Sequence, residues 1–236
     1  MARLTRHQLK KDELGTSLAA WMDYFLMHRK SATLGIEIAA GALLLIAGLY
    51  FYVRNAQNSA AAAFGRALSS YHAPVLAAPP AGLNIETYRT NDEKNQRALE
   101  AFQTVADQYS YYSAGRLARY YAALCLRELK KYAEAEKELQ ELAQSGDERQ
   151  AALAKVALAS VYEQTNRAAE AEKLYKELEE NPTATVPKTT ALMARAELYR
   201  KTNPAEAATL YQQIQKDYAG SMAAERARQM LTQLQR

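Results

Sequence analysis

The sequence predicts an all-α protein in which a single N-terminal transmembrane helix is followed by an α-solenoid of helix-turn-helix units. Three observations predict it. About a fifth of the 236 residues are Ala, against only 9 Gly and 6 Pro, which is a helix-forming composition. One apolar run near the N-terminus has the length of a bilayer crossing. Beyond residue 91 the chain resembles itself at a spacing of 36 residues.

Residues 1–30 form the first element, a segment in which Leu14, Leu18, Trp21 and Phe25 recur at helical steps and share one face. This pattern predicts an amphipathic helix lying on the membrane lipid and ending in the basic run His28, Arg29 and Lys30. Residues 31–53 follow with 23 residues and one charge, Glu37. As a helix at ~1.5 Å per residue they span ~34 Å, enough for a ~30 Å hydrocarbon core. Glu37 lies close enough to the N-terminal end to reach the headgroups, and Tyr50 and Tyr52 suit the opposite interface. Ala40 with Ala47 and Gly41 with Gly48 give a face of small residues able to admit another helix.

Charge sets the orientation. Arg3, Arg6, Lys10, Lys11, Arg29 and Lys30 precede the span, against Asp12, Glu13 and Asp23, whereas Arg54 and Arg66 follow it. The positive-inside bias places the N-terminus in the cytoplasm and the large C-terminal part across the membrane. A cleaved signal peptide is the rival reading, with a cutting site in the small residues Ser59–Ala63. The 30-residue basic region and the long apolar core oppose it.

Residues 54–71, with Ala60–Ala63, Phe64, Ala67 and Leu68, continue as a helical extension. The segment 72–91 interrupts them, because Pro74, Pro79 and Pro80 remove donors and bias the preceding residues away from helix. It reads as a linker.

Residues 92–236 carry the repeat. Ala135, Ala171 and Ala207 are spaced 36 apart, as are Leu139, Tyr175 and Tyr211, and Leu142, Leu178 and Ile214. Each unit opens with a helix bearing a small residue and a larger one three positions on: Ala123 with Leu126, Ala159 with Tyr162, Ala196 with Tyr199. Small residues let paired helices approach, large ones fill the gaps, and stacking of pairs completes a core that one pair alone cannot bury.

The charge balance excludes one class of function. Of the net charge of +4, residues 1–90 hold 9 Lys or Arg against 5 Asp or Glu, while residues 91–236 hold 21 against 21. A neutral C-terminal part argues against nucleic-acid binding. Cys125 is the single cysteine, so no intramolecular disulfide or multi-Cys zinc site is available. The three histidines, His7, His28 and His72, all precede residue 73. With no phosphate loop, metal-ligand spacing or nucleophile-base set, the expectation is a protein that is not an enzyme and holds no cofactor or metal.

These small, aromatic and Ala positions resemble the tetratricopeptide repeat family across three units covering roughly 114–218. Helix 93–108, with Ala98, Phe102 and Ala106, resembles the second half of an earlier unit, and helix 220–235 a C-terminal capping helix. Two departures stand out. Arg119 occupies a position where the family usually has Trp, and the third unit is one residue shorter in its turn, at Pro204. The order of short N-terminal segment, membrane span, Ala-rich helix and repeat array resembles the family of the bacterial ancillary subunit of the SecYEG translocon. The repeat domain is also similar to that of the periplasmic cell-division coordinator family associated with the Tol system.

The resemblance implies a single-pass protein of the bacterial inner membrane with a periplasmic C-terminal domain. It implies protein partners: translocon subunits, periplasmic chaperones or emerging secreted chains, or alternatively envelope and cell-division proteins. It places a partner groove on the first helices of the units, at Leu117, Tyr120, Leu124, Arg127 and Glu128, then Leu153, Val156, Ser160, Glu163 and Gln164, then Thr190, Met193, Glu197, Arg200 and Lys201. The Lys and Asn of the family's carboxylate clamp are not at these positions. The 16 tyrosines, among them Tyr111 with Tyr112 and Tyr120 with Tyr121, read either as client contacts or as packing within the array. Cys125 reads as a small buried hydrophobe. Glu134, Glu136, Glu138 and Glu141, interleaved with Lys130, Lys131 and Lys137, read as a solvated face, with further i,i+4 pairs at Glu172–Lys176 and Lys173–Glu177.

Overall fold

The computed structural model describes residues 22, 23, 27, 29–76 and 85–234. The amphipathic helix expected through Leu14, Leu18, Trp21 and Phe25, and the centre of the proline-containing segment at 77–84, lie outside the described residues. Among the described residues the regular structure is helical. Nine helices follow in order: α1 Arg29–Tyr71, α2 Asn91–Gln108, α3 Ser113–Glu128, α4 Tyr132–Ala143, α5 Glu148–Gln164, α6 Ala168–Glu180, α7 Lys188–Thr202, α8 Pro204–Asp217 and α9 Met222–Leu234. The chain divides into two units, Met1–Ala56 and Gln57–Arg236, and α1 contributes to both.

In the first unit α1 is long and apolar enough, from Thr33 onward, to cross a membrane. Leu43, Leu44, Leu45, Ile46, Leu49 and Phe51 all point outward and are exposed. A helix that is apolar all round needs a surrounding of apolar matter, whether protein or lipid.

In the second unit the end of α1 is fastened by aromatic rings. Phe64 and Tyr71 meet Tyr121 of α3, each at 5.6 Å between centroids, and Phe102 of α2, at 5.8 and 6.0 Å; Phe102 stacks on Tyr121 at 5.2 Å. Each such contact adds about 0.5–1.5 kcal/mol beyond burial. Residues 72–91 then leave and return through a closed neck. Leu76 N donates to Tyr88 O at 2.8 Å and Tyr88 N to Pro74 O at 3.1 Å, forming an isolated bridge. The Glu86 carboxylate ties the neck further, accepting from Ser70 Oγ at 2.8 Å and from the Tyr88 hydroxyl. Thr90 caps α2 by accepting from Glu93 N at 3.1 Å, while Glu93 reaches back to Arg89 N at 3.0 Å.

From α2 to α9 each helix packs on the next, and α3 also touches α5, as α7 touches α9. The periodic residues form the interior. Ala123, Ala159 and Ala196, and their counterparts Ala135, Ala171 and Ala207, are all fully buried, with Leu139, Tyr175, Tyr211, Leu142, Leu178 and Ile214 beside them. Two clusters result, one running from Ala67 to Ala191 and one from Leu192 to Ala227.

The turns repeat with the helices. Lys130 and Asn166, 36 apart, each adopt φ near 60° after the first helix of a pair, and Lys131 N and Arg167 N close the turns onto Leu126 O at 2.9 Å and Tyr162 O at 2.7 Å. The third turn lacks that residue, so Asn203 ends α7 by donating its N–H to Tyr199 O and starts α8 by accepting from Glu206 N at 3.3 Å. A second kind of turn joins α2 to α3 and α8 to α9. Tyr109 and Tyr218 hold equivalent places there, with Tyr112 N donating to Tyr109 O at 2.9 Å and Ser221 N to Tyr218 O at 3.1 Å. At the first of these Gly115 lies so close to the turn that a Cβ would stand 2.0 Å from Tyr109 O.

Candidate functional site

The groove positions read from the sequence fall on α3, α5 and α7 as expected, but the structure divides them by role. Tyr120 and Leu124 of α3 and Leu153 and Val156 of α5 are half-buried and packed against the larger core cluster. Tyr120 stands edge-on to Tyr121 at 5.5 Å. Leu117 is half-buried on the same helix, and Met193 of α7 lies against the smaller cluster. These side chains form the flank of the core more than a free apolar floor.

The charged members are engaged within the chain. Arg127 pairs with its neighbour Glu128 at 2.7 Å. Glu163 accepts from the Tyr175 hydroxyl at 2.7 Å, and Glu197 accepts from the Tyr211 hydroxyl, also at 2.7 Å. Glu197 pairs as well with Arg200 at 2.9 Å. The two tyrosines occupy one repeat position, but their acceptors do not: Glu163 aligns with Arg200, and Glu197 with Ser160, three residues earlier on the first helix. Burial, and next the hydrogen bond to the carboxylate, push both hydroxyls well above the usual tyrosine value. Tyr199 is pushed up to about 12 by the same causes, its carboxylate being Glu172. Of the remaining positions, Ser160 accepts from Gln164 Nε2 at a long 3.5 Å and Gln164 is exposed; the side chain of Lys201 lies outside the described residues.

The acidic face of α4 is not merely solvated. Arg119 reaches Glu138 at 2.5 Å and also Glu141, so a polar clamp between α3 and α4 stands where the resembling family has an aromatic ring. The Arg119 guanidinium holds the exposed Glu141 carboxyl below the usual range. Glu136 accepts from Arg167 at 2.8 Å, which joins α4 to the start of α6. Arg167 also lies 4.1 Å from the Tyr162 ring centroid, a cation–π contact. Glu172 does pair with Lys176, at 2.5 Å, but Glu177 binds Lys155 of α5 at 2.6 Å in place of Lys173. The local spacing on a helix offered a partner, and a cation on the neighbouring helix took it.

Of three further features, the burial of Cys125 agrees with its reading as a small buried hydrophobe, and the other two have no counterpart in the sequence reading. Glu179 and Arg195 form an ion pair at 3.1 Å between α6 and α7 in which both side chains are largely buried. Cys125 is fully buried and burial pushes its thiol up to about 12, as expected for a structural thiol. Between α7 and α9 runs a groove of about 690 Å³ lined by Met193, Ala194 and Glu197 on one side and Met222, Ala223, Arg226 and Met230 on the other. The signal for it was the run of Met and Ala residues in α9, on a helix read only as a cap. Among the described residues no group of three or more His, Cys, Asp or Glu is placed to hold a metal ion. Comparison with protein-family models, with curated proteins and with solved structures returns no match.

Proposed function

We propose that this chain is a membrane-anchored protein-interaction module of tetratricopeptide-like build, with a cytoplasmic N-terminus and its helix array in the periplasm of the bacterial inner membrane. The observation that carries the reading is the joint presence of an apolar membrane-length helix and an array whose pairs repeat in detail. The same buried Ala positions recur in all three pairs, and the turns at Lys130 and Asn166 recur in the first two. The resemblance of this layout to the ancillary SecYEG subunit family supports a place beside the translocon. There the anchor raises the local concentration of the array and many weak contacts hold emerging chains or their chaperones.

A second reading, an envelope or division scaffold that handles no client chains, is favoured by one observation. The groove positions on α3 and α5 are occupied from within: Tyr120, Leu124 and Val156 by the core, Glu163 by Tyr175. Photo-crosslinkers placed in the full chain at Gln164 and Met193, in native membranes, separate the two. Adducts with translocon subunits, periplasmic chaperones or many secreted chains support the first reading, and adducts with one envelope or division protein alone replace it by the second. Protease added to intact spheroplasts should degrade the array, and a protected array would reverse the orientation.

A further inference from the structure

Resting on the reading of the array as an interaction module, we propose that its client-binding element is the α7/α9 groove, and that the groove takes an extended apolar segment of a protein chain bearing an acidic side chain. The walls supply three methionines, Met193, Met222 and Met230, beside Ala194 and Ala223, with Thr189, Thr190 and Gln229 as neutral polar members of the lining. Met222 is 89% exposed, which for an unbranched apolar residue on a helix face costs burial that a partner would restore. Thioether side chains have three soft torsions and adapt to aliphatic and aromatic groups alike, which suits segments of varied sequence. Of α9, Ala224 and Ala227 are buried, Ala223, Met230, Leu231 and Leu234 are partly buried against the smaller cluster, and Met222 and Arg226 are exposed.

The charge inside the groove selects the acidic group. Glu197 is held by the Tyr211 hydroxyl and by Arg200, and Glu225 by Arg228 at 2.7 Å. Arg226 makes no ion pair or hydrogen bond among the described residues; it acts on the Tyr211 hydroxyl only through its charge, so its N–H donors are the ones in the lining still open to a carboxylate. A guanidinium at the edge of an apolar groove binds a carboxylate through two parallel N–H donors. A single guanidinium, without the converging Lys and Asn donors that a terminal carboxylate needs, fits an Asp or Glu side chain within a continuing segment.

The test uses the full chain in detergent micelles and fluorescent twelve-residue peptides of alternating Leu and Ser with either Asp or Lys at the centre, read by anisotropy. The Asp peptide should bind about tenfold more tightly than the Lys peptide, and added salt should narrow the gap. Arg226→Glu should invert the preference, and Met193→Ser with Met222→Ser should weaken both peptides while leaving the helical circular dichroism unchanged. Equal binding of the two peptides, or a preference that survives Arg226→Glu, overturns the assignment. So does occupation of the groove by a second copy, seen as concentration-dependent self-association abolished by Met222→Ser. If the peptides fail here while crosslinks from Gln164 still capture many secreted chains, the module reading stands and only the groove assignment falls. If both fail, the module reading falls with it.

Discussion

Replacing Gly115 by Ala sets helix propensity against packing and gives opposite signs for the two. Gly115 is the third residue of α3, and in a free helix Ala at such a position is favoured by up to about 1 kcal/mol. The added methyl, however, would lie 2.0 Å from Tyr109 O and 2.4 Å from its carbonyl carbon, both backbone atoms. A carbon and a carbonyl oxygen rest at roughly 3.3 Å, so α3 and the turn must part by roughly 1 Å. That turn is fixed by Tyr112 N donating to Tyr109 O at 2.9 Å, and Ala118 and Ala122 on the same helix are buried, so little slack exists. Overpacking costs about 1–3 kcal/mol and a weakened backbone hydrogen bond about 1 more, against the propensity gain, for a net loss of about 1–3 kcal/mol. Gly65 on α1 has open space around a Cβ, so Gly65→Ala isolates the propensity effect. Urea unfolding of the full chain in mild detergent, followed by circular dichroism, should move the midpoint down for Gly115→Ala and slightly up for Gly65→Ala. A Gly115→Ala chain as stable as the parent would refute the close approach of turn and helix.

Tyr211→Phe removes the donor to Glu197 while keeping the ring, and should cost about 1–3 kcal/mol in the same assay; Leu139→Ala, at the equivalent but hydroxyl-free position, should cost about 2–5 through a cavity. The alkaline limb of stability follows from Tyr175, Tyr199 and Tyr211, whose folded values lie above the unfolded value of 10.0, so their contribution is complete below pH 10 and is lost above it, for Tyr199 between 10 and about 12. Tyrosinate absorbance of the native chain should therefore lag the urea-unfolded chain, and superimposed curves would remove the ties. Cys125, fully buried with its thiol pushed up to about 12, should resist a maleimide at pH 8 until urea is added, and prompt labelling of native protein would contradict that burial.

The helix pairs were legible in the sequence because their physics is local and periodic. Small residues at 36-residue spacing mark where backbones meet, and Ala135, Ala171 and Ala207 are fully buried accordingly. The short third turn at Pro204 was legible for the same reason, since a deleted residue in a turn must be absorbed by Asn203 serving two helices. The neck that closes at Val75 and Tyr88 was not, because the prolines speak only of interruption, while the closure depends on Ser70 and Tyr88 meeting one carboxylate, Glu86. Arg119 was visible as a departure from an aromatic pattern. That Glu138 and Glu141 neutralise it depends on how far α4 is rotated against α3, which spacing does not encode.

The same limit applies to the acids at the candidate groove, and one substitution separates the two roles open to them. Glu163 sits at a position where a resembling array would contact a partner, yet its carboxylate already accepts from a buried hydroxyl 2.7 Å away. If its task is to tie α6 to α5, an amide oxygen suffices, and Glu163→Gln should leave the urea midpoint within about 1 kcal/mol of the parent, whereas Glu163→Ala leaves Tyr175 without an acceptor and should cost about 1–3 kcal/mol. If its charge meets a partner, both variants should weaken capture alike. Crosslinking yield from a probe at Gln164, one residue on and exposed, reads the second role without touching the first. A stable Glu163→Gln chain with undiminished capture assigns the acid to the fold and leaves recognition to exposed side chains, Gln164 on the predicted face and Arg226 beyond it. A stable Glu163→Gln chain with lost capture would return Glu163 to the partner and refute the division of roles drawn from the structure.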